Sequence, residues 1–352
     1  MKIGFIVGRD HEIYYNTELK KQTPKKYLVD CYDKGWKRDS LQVDVAIAMT
    51  VKLKYPGITV DIILPKEMSL ARLKKNDINF VVGYDYINTV NDDPPIKKFM
   101  GEQGNNKILE IYKNKESKLF PPYEHMDFIW NKKKYLTKFK KANIPINPTL
   151  FIKGQVSVPK LIGQVSSYKW TDFIIKPIGG TTSYGVGLFN LKKVIEEPTL
   201  VMDYFIVNSE KYSEYLVQPL IKGFKQHGEI KSFWINGEFS YAVNILDRSD
   251  TDYRVQEVIK PEVLQKCKDI GEQVMKTIPK LKMMGKTTTP VATRIDLTCC
   301  LDNKPLKSMK FYVNEIEEGG IAGTYINFNN VNYPMVEILA DSFVKKAQSL
   351  LK

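Results

Sequence analysis

From Met1 to Val90 the chain alternates short apolar runs with a helix-period segment, and this alternation constrains its fold more than any other feature. Lys2 to Val7 is apolar beyond its first residue and reads as a strand. Leu41, Val45, Ala48, Met49 and Lys52 recur at helical spacing behind the cap candidates Asp39 and Ser40, and Pro56-Gly57 ends that run. Thr59 to Leu64 and Asn79 to Val82 read as two more strands. The alternation predicts a small parallel α/β unit. The connection from Gly8 to Arg38 is long for a strand-to-helix link, so it is expected to be functional or partly ordered by itself.

Asn91 to Pro122, with two Pro-Pro pairs and mixed charge, reads as a linker, and a new pattern begins near His125. At 352 residues the chain is long enough for two or three domains at roughly 150 residues each. No apolar run approaches the roughly 18 residues of a membrane span. The apolar run Ile3 to Val7 is also too short for a signal peptide. The cysteines Cys31, Cys267, Cys299 and Cys300 form no CxxC pair, so neither a disulfide framework nor a zinc site is indicated, and a reduced, cytoplasmic compartment is expected. His11, His125 and His227 are too scattered for a histidine metal cage.

The formal net charge of +13 favours anionic partners. No nucleic-acid motif accompanies it, so nucleic acid is not the expected partner. The cationic residues are mostly lysine, with arginine only at positions 9, 38, 72, 248, 254 and 294. In such a chain each retained guanidinium is informative, because its fork does what an ammonium cannot.

Four segments carry candidate chemistry. Asn131-Lys132-Lys133-Lys134-Tyr135-Leu136 opens a basic helix that ends at Ile144-Pro145, and as a run it reads as a solvated lysine face. Phe173-Ile174-Ile175-Lys176-Pro177 is an apolar strand ending in lysine. A loop from Gly179 to Gly187 follows, containing Gly180, Thr181, Thr182 and Ser183. Such a loop can bring backbone N–H groups onto a phosphate, or be an ordinary hairpin; it is not a Walker loop, whose lysine follows its glycines. Third, Leu216 to Leu220 reads as a strand and Gly228 to Phe239 as a hairpin turning at Asn236-Gly237. Fourth, Thr293-Arg294-Ile295-Asp296-Leu297 and Phe311 to Glu317 are strands with carboxylates at alternate positions. Glu315 and Glu317 share one strand face, and Asp296 can sit opposite them. Three such carboxylates repel unless cations lie between them, and their hard oxygens suit Mg²⁺ bridging phosphates.

In this order the four segments, from His125 to Tyr325, resemble the ATP-grasp superfamily, notably D-alanine–D-alanine ligases, bacterial-type glutathione synthetases and ribosomal-protein glutamate ligases. The resemblance implies an N-terminal parallel α/β domain over residues 1–120, then two α+β subdomains, a small lid at 121–210 and a C-terminal unit at 211–352, which clamp the nucleotide. It implies that Lys132 and Lys176 contact ATP, that Gly180 to Ser183 cover its phosphates, and that Gln218, Pro219 and Leu220 form the adenine hinge. Gly228-Glu229-Ile230-Lys231 looks like the family's Gly-Asp-Ile-Arg, which counts Glu229 with the nucleotide site and sets Lys231 near the acid substrate. Asp296, Glu315 and Glu317 match the Mg²⁺ ligands, two ions by the family pattern, with Mn²⁺ able to substitute. Arg294 matches the arginine that stabilises the reaction intermediate, and Arg254 a further phosphate-binding arginine.

Two departures stand out: Glu317 replaces the usual asparagine of Asn-Glu-Ile-Asn and adds a negative charge, and lysine replaces arginine at 231. The activity implied is carboxylate–amine ligation through an acylphosphate, with ADP and phosphate as products, small-molecule acid and amine substrates, and room for a homodimer. The alternative is a small-molecule kinase of the same superfamily, such as an inositol-polyphosphate kinase, for which +13 suits a polyanionic substrate. A binding protein that kept ATP and lost catalysis is a third class. Arg294 and the loop Gly319 to Gly323 favour the ligase.

Overall fold

The computed structural model describes residues 1–8, 13–14, 17–29, 40–64, 67–83, 102–154, 157–179, 185–247, 253–300, 310–318 and 334–352. In chain order the strands begin with β1 (Lys2–Ile6), β2 (Ile13–Tyr14), β3 (Leu28–Val29), β4 (Ser40–Gln42), β5 (Thr59–Ile63), β6 (Ile78–Val81) and β7 (Leu119–Phe120). Next come β8 (Leu150–Lys153), β9 (Asp172–Pro177), β10 (Gly187–Asn190) and β11 (Glu214–Pro219). The chain then adds β12 (Glu229–Ile235), β13 (Glu238–Asp247), β14 (Tyr253–Glu257), β15 (Leu281–Met283), β16 (Lys286–Thr288), β17 (Ala292–Cys300) and β18 (Lys310–Glu318).

The apolar runs of the first part pair in parallel, in the order β5-β1-β6-β7. The helices Val43–Lys54 and Met335–Leu351 pack together and share one core with this sheet. Phe343, from the last helix, lies 4.8 Å from Phe80 and 5.7 Å from Phe5, ring centre to ring centre. Lys54 and Tyr55 both reach Asp341, at 2.6 and 2.8 Å.

Two expectations change here. Leu41 belongs to β4, and the helix starts at Val43. The cause is tertiary pairing, because Leu41 sits opposite Tyr14 and Leu28 in a small sheet that overrides its helical spacing. The carboxylate of Asp44 then accepts the N–H groups of Val45 and Gly8, tying the helix start to the end of β1. The stretch read as a linker is also largely structured: Glu102–Lys113 is a helix, and β7 extends the parallel sheet. Ile108, Ile111 and Tyr112 bury one stripe of that helix at spacings of three and four, which a linker does not need.

The second half is antiparallel. One sheet has the order β10-β9-β11-β8, and the other β14-β13-β12-β17-β18. On one face of the latter Ile230, Trp234, Ile295, Leu297, Val313 and Ile316 join a core with Tyr135, Leu136 and Phe139 of helix Lys132–Lys141 and Cys267 of helix Pro261–Thr277. Gly271 is required there, since a Cβ at this position would lie 2.0 Å from Trp234 Cζ2. The other face is split: Phe233, Tyr241, Val243 and Ile245 are apolar, while the part over β17 and β18 is charged. That charged part is the candidate site.

Among the described residues no helix is long and apolar enough to cross a membrane.

Candidate functional site

The register of three strands builds the site. Lys231 on β12 sits opposite Asp296 on β17, and Asp296 sits opposite Glu315 on β18. Arg294 faces Glu317 one step along. Opposed residues project from the same face of a sheet, so these five side chains converge. The ladder shifts between Asp296 and Leu297, where Leu297 pairs with Val313 and leaves Asn314 as the extra residue of a bulge. That extra residue lets Asn314 donate to Glu229 at 2.8 Å and accept from Lys176 at 3.4 Å. The signal for Asn314 lay in the Val-Asn-Glu run, but only the pairing reveals its reach.

One oxygen each from Asp296, Glu315 and Glu317 lie within 4.8 Å of one another. Hard carboxylate oxygens at this spacing fit Mg²⁺, which takes few protein ligands and completes its shell with water and phosphate. Cations surround them. Lys231 Nζ contacts Asp296 at 2.6 Å and Glu229 at 2.8 Å. Arg294 grips Asp296 through Nε at 2.8 Å and Nη2 at 3.0 Å, and reaches Glu317 at 2.7 Å. Lys132 contacts Glu315 at 2.6 Å. Lys132 is buried and is the exception in its lysine run. Lys133 and Lys134 instead serve Glu214 and Asp127 at part-exposed positions.

These charges set the proton affinities. Burial works to raise the Asp296 carboxyl, but Arg294 and Lys231 outweigh it and hold it below its ordinary value. Glu315 is likewise lowered, with Lys132 and Lys176 overcoming burial. For Glu317 burial wins over Arg294 and pushes the carboxyl up to about 7. Burial also lowers Lys176, with Glu315 pulling the other way. The extra carboxylate at 317 is therefore the least comfortable charge in the cluster.

Lys176, one residue before the end of β9, lies opposite Leu216, and Gln218 lies two residues further along β11. Gln218 is fully buried; its Nε2 donates to Thr149 Oγ1 at 2.8 Å, and its Oε1 has no hydrogen-bond partner among the described residues. Thr149 was not apparent as a site neighbour from sequence. Pro219 ends β11 and Leu220 N donates to Asp172 O at 2.9 Å. Helix Lys132–Lys141 meets this sheet where Lys132 N donates to Ile178 O at 3.4 Å.

Arg254 is not brought to the cluster. Glu257 shares a row with Val243 and Lys231, and Arg254, three residues back along β14, alternates to the opposite face and is exposed. Gly180, Thr181, Thr182 and Ser183 lie outside the described residues, as do the loop Gly319 to Gly323 and positions 9–12, 15–16 and 30–38 of the span Gly8 to Arg38.

No protein-family model matches the sequence, and no curated protein matches it. Solved structures do match in fold. D-cycloserine synthetase DcsG superposes with a TM-score of 0.64 at 13% identity, covering 99% of this chain and 100% of that one. D-alanine–D-alanine ligase from Bacillus anthracis, complexed with ATP, gives 0.57 at 13% identity, covering 100% and 98%. The ATP-grasp ligase PsnB, complexed with a minimal precursor, gives 0.59 at 10% identity, covering 98% of each chain. The chain has the ATP-grasp fold.

Proposed function

We propose that this chain is an ATP-dependent ligase that joins a carboxylate to an amine, with ADP and phosphate as products. The observation that carries the reading is the charge-balanced cluster of Glu229, Asp296, Glu315 and Glu317 against Lys132, Lys176, Lys231 and Arg294 on an ATP-grasp frame. A cluster neutral by internal pairing can admit a Mg²⁺–phosphate ligand that is itself partly neutralised, since Glu315 can exchange Lys132 for the metal while Lys132 exchanges Glu315 for a phosphate oxygen. Asp296, Glu315 and Glu317 would hold Mg²⁺, which supplies neutralisation of the transferring phosphoryl charge.

Lys132 and Lys176 then bind phosphate oxygens, and Gln218 to Leu220 border the adenine. The substrate carboxylate attacks the γ-phosphorus, forming the acyl–oxygen–phosphorus bond as the bond to ADP breaks. The amine next attacks the acyl carbon, and phosphate leaves with the former carboxylate oxygen. Arg294 donates to the oxyanion of that tetrahedral state, and Lys231 orients the acid. The reading divides the chain at residues 1–120, 121–210 and 211–352, with the nucleotide between the last two units. Arg254 has no part in it.

Incubation with ATP, Mg²⁺ and pooled amino acids and small acids, with ADP, AMP and phosphate quantified, tests the proposal. ADP and free phosphate in equal amounts, dependent on the pool, are expected. A phosphorylated product without free phosphate identifies a kinase, and stoichiometric AMP rejects both.

A further inference from the structure

A second concave site lies away from the acidic cluster. A cavity of about 690 Å³ opens between the end of helix Glu102–Lys113, the start of helix Tyr123–Trp130 and the hairpin β15–β16. It shares no lining residue with the cluster. The two are separated by β18, whose Glu317 turns to the cluster while the next residue, Glu318, turns to the opposite face and holds His125 Nε2 in the cavity wall.

The lining is one-sided in charge. Lys113, Lys115, Lys118, Lys280 and Lys282 surround it, against a single carboxylate, Glu124, among the described residues. Lys118 is anchored on Asn76 O at 2.8 Å, and Lys113 lies 5.0 Å over the Tyr123 ring. Lys115, Lys280 and Lys282 make no ion pair with any described carboxylate.

The wall also includes Pro122 to His125, the cap and first turn of helix Tyr123–Trp130, and no side chain caps that end. An uncapped first turn presents backbone N–H groups and partial positive charge, which favours an anion. Tyr112 and Met283 supply apolar surface, and Tyr112 is fixed by a 2.6 Å hydrogen bond from its hydroxyl to Pro121 O. His125 is buried, with Nδ1 lacking a hydrogen-bond partner. The volume lies within the range of small-molecule sites, about 300–1,000 Å³.

We propose that this cavity is a second ligand site, for a small aromatic or otherwise apolar organic anion. Its body packs on Tyr112, Tyr123 and Met283, and its carboxylate or phosphate meets the lysines and the helix start. The proposal does not depend on the ligase reading, because none of its residues belongs to that site.

The test uses the full chain with ADP and Mg²⁺ present and its methionine methyls labelled with ¹³C. The Met283 resonance is assigned from Met283→Leu. The probes are 4-hydroxybenzoate, its neutral methyl ester and inorganic phosphate. Saturable movement of the Met283 signal by 4-hydroxybenzoate is expected, with the ester and phosphate weaker by roughly ten-fold or more. The double variant Lys115→Glu/Lys282→Glu, checked for an unchanged melting temperature, should weaken the anion by roughly ten-fold while leaving the ester unaffected. No saturable shift at Met283 up to about 10 mM anion overturns the site. Equal binding of acid and ester, or equal binding by wild type and the double variant, overturns its preference for anions.

Discussion

Replacing Arg294 by alanine separates an oxyanion donor from a scaffold cation. The side chain is buried and contacts Asp296 at 2.8 and 3.0 Å and Glu317 at 2.7 Å. With charge centres about 4 Å apart and an effective dielectric near 20, each pair is worth about 4 kcal/mol of direct attraction, most of it offset by desolvation. Breaking such a pair costs about 3–5 kcal/mol when a charge is stranded. Here Lys231 still holds Asp296 at 2.6 Å, and Glu317, already up at about 7, can take a proton. The ion-free variant should therefore lose the smaller end of that range, about 3 kcal/mol in denaturant unfolding. Mg²⁺ should bind more tightly, because a competing cation has left its carboxylates. In steady-state assays kcat should fall roughly 100-fold, about 3 kcal/mol, with KM for ATP changed only a few-fold. Arg294→Lys should recover little, since an ammonium cannot match two oxygens. Near-normal kcat, or a raised Mg²⁺ requirement, would refute the role given to this guanidinium.

Other perturbations probe the cluster and the frame. Glu315→Gln removes one metal oxygen and the 2.6 Å partner of Lys132, so turnover should fall roughly 100-fold while the protein stays folded; normal turnover with normal Mg²⁺ dependence would move the metal elsewhere. Gly271→Ala drives a Cβ into Trp234 and should cost about 1–3 kcal/mol, read as a lowered denaturant midpoint; an unchanged midpoint would contradict the packing of helix Pro261–Thr277. Burial pushes the Lys346 ammonium down to about 8 from an ordinary 10.5. Across that window the unfolded chain binds the proton that the folded chain lacks, so stability should rise with pH. Lys346→Met should flatten the rise in unfolding curves taken at about pH 8 and about pH 10, and an unaltered slope would assign it to another group.

Much of this arrangement was legible because it rests on short-range rules. Alternation along a strand put Glu315 and Glu317 on one face, and the register then set Asp296 opposite Glu315. Lys176, next to the end of β9, was readable as the close of an apolar run. What escaped depends on contacts distant in sequence. The bulge that aims Asn314 at Glu229 and Lys176 comes from the pairing of β17 with β18. Arg254 was assigned by motif position, while its burial and face are set by an edge strand. The helix Glu102–Lys113 was obscured by flanking Pro-Pro pairs, although Ile108, Ile111 and Tyr112 carried helical spacing. Thr149 meets Gln218 across 69 residues, a pairing no local pattern encodes.

The central claim is that the substrate carboxylate takes the γ-phosphoryl group and later surrenders its oxygen. Whichever acid in the pool supports turnover can be prepared with ¹⁸O in its carboxylate, and the phosphate released examined by ³¹P NMR. The account predicts one ¹⁸O atom carried into each inorganic phosphate, seen as an isotope-shifted resonance, with ADP as the nucleotide product. Unlabelled phosphate, or label found in AMP, would contradict it.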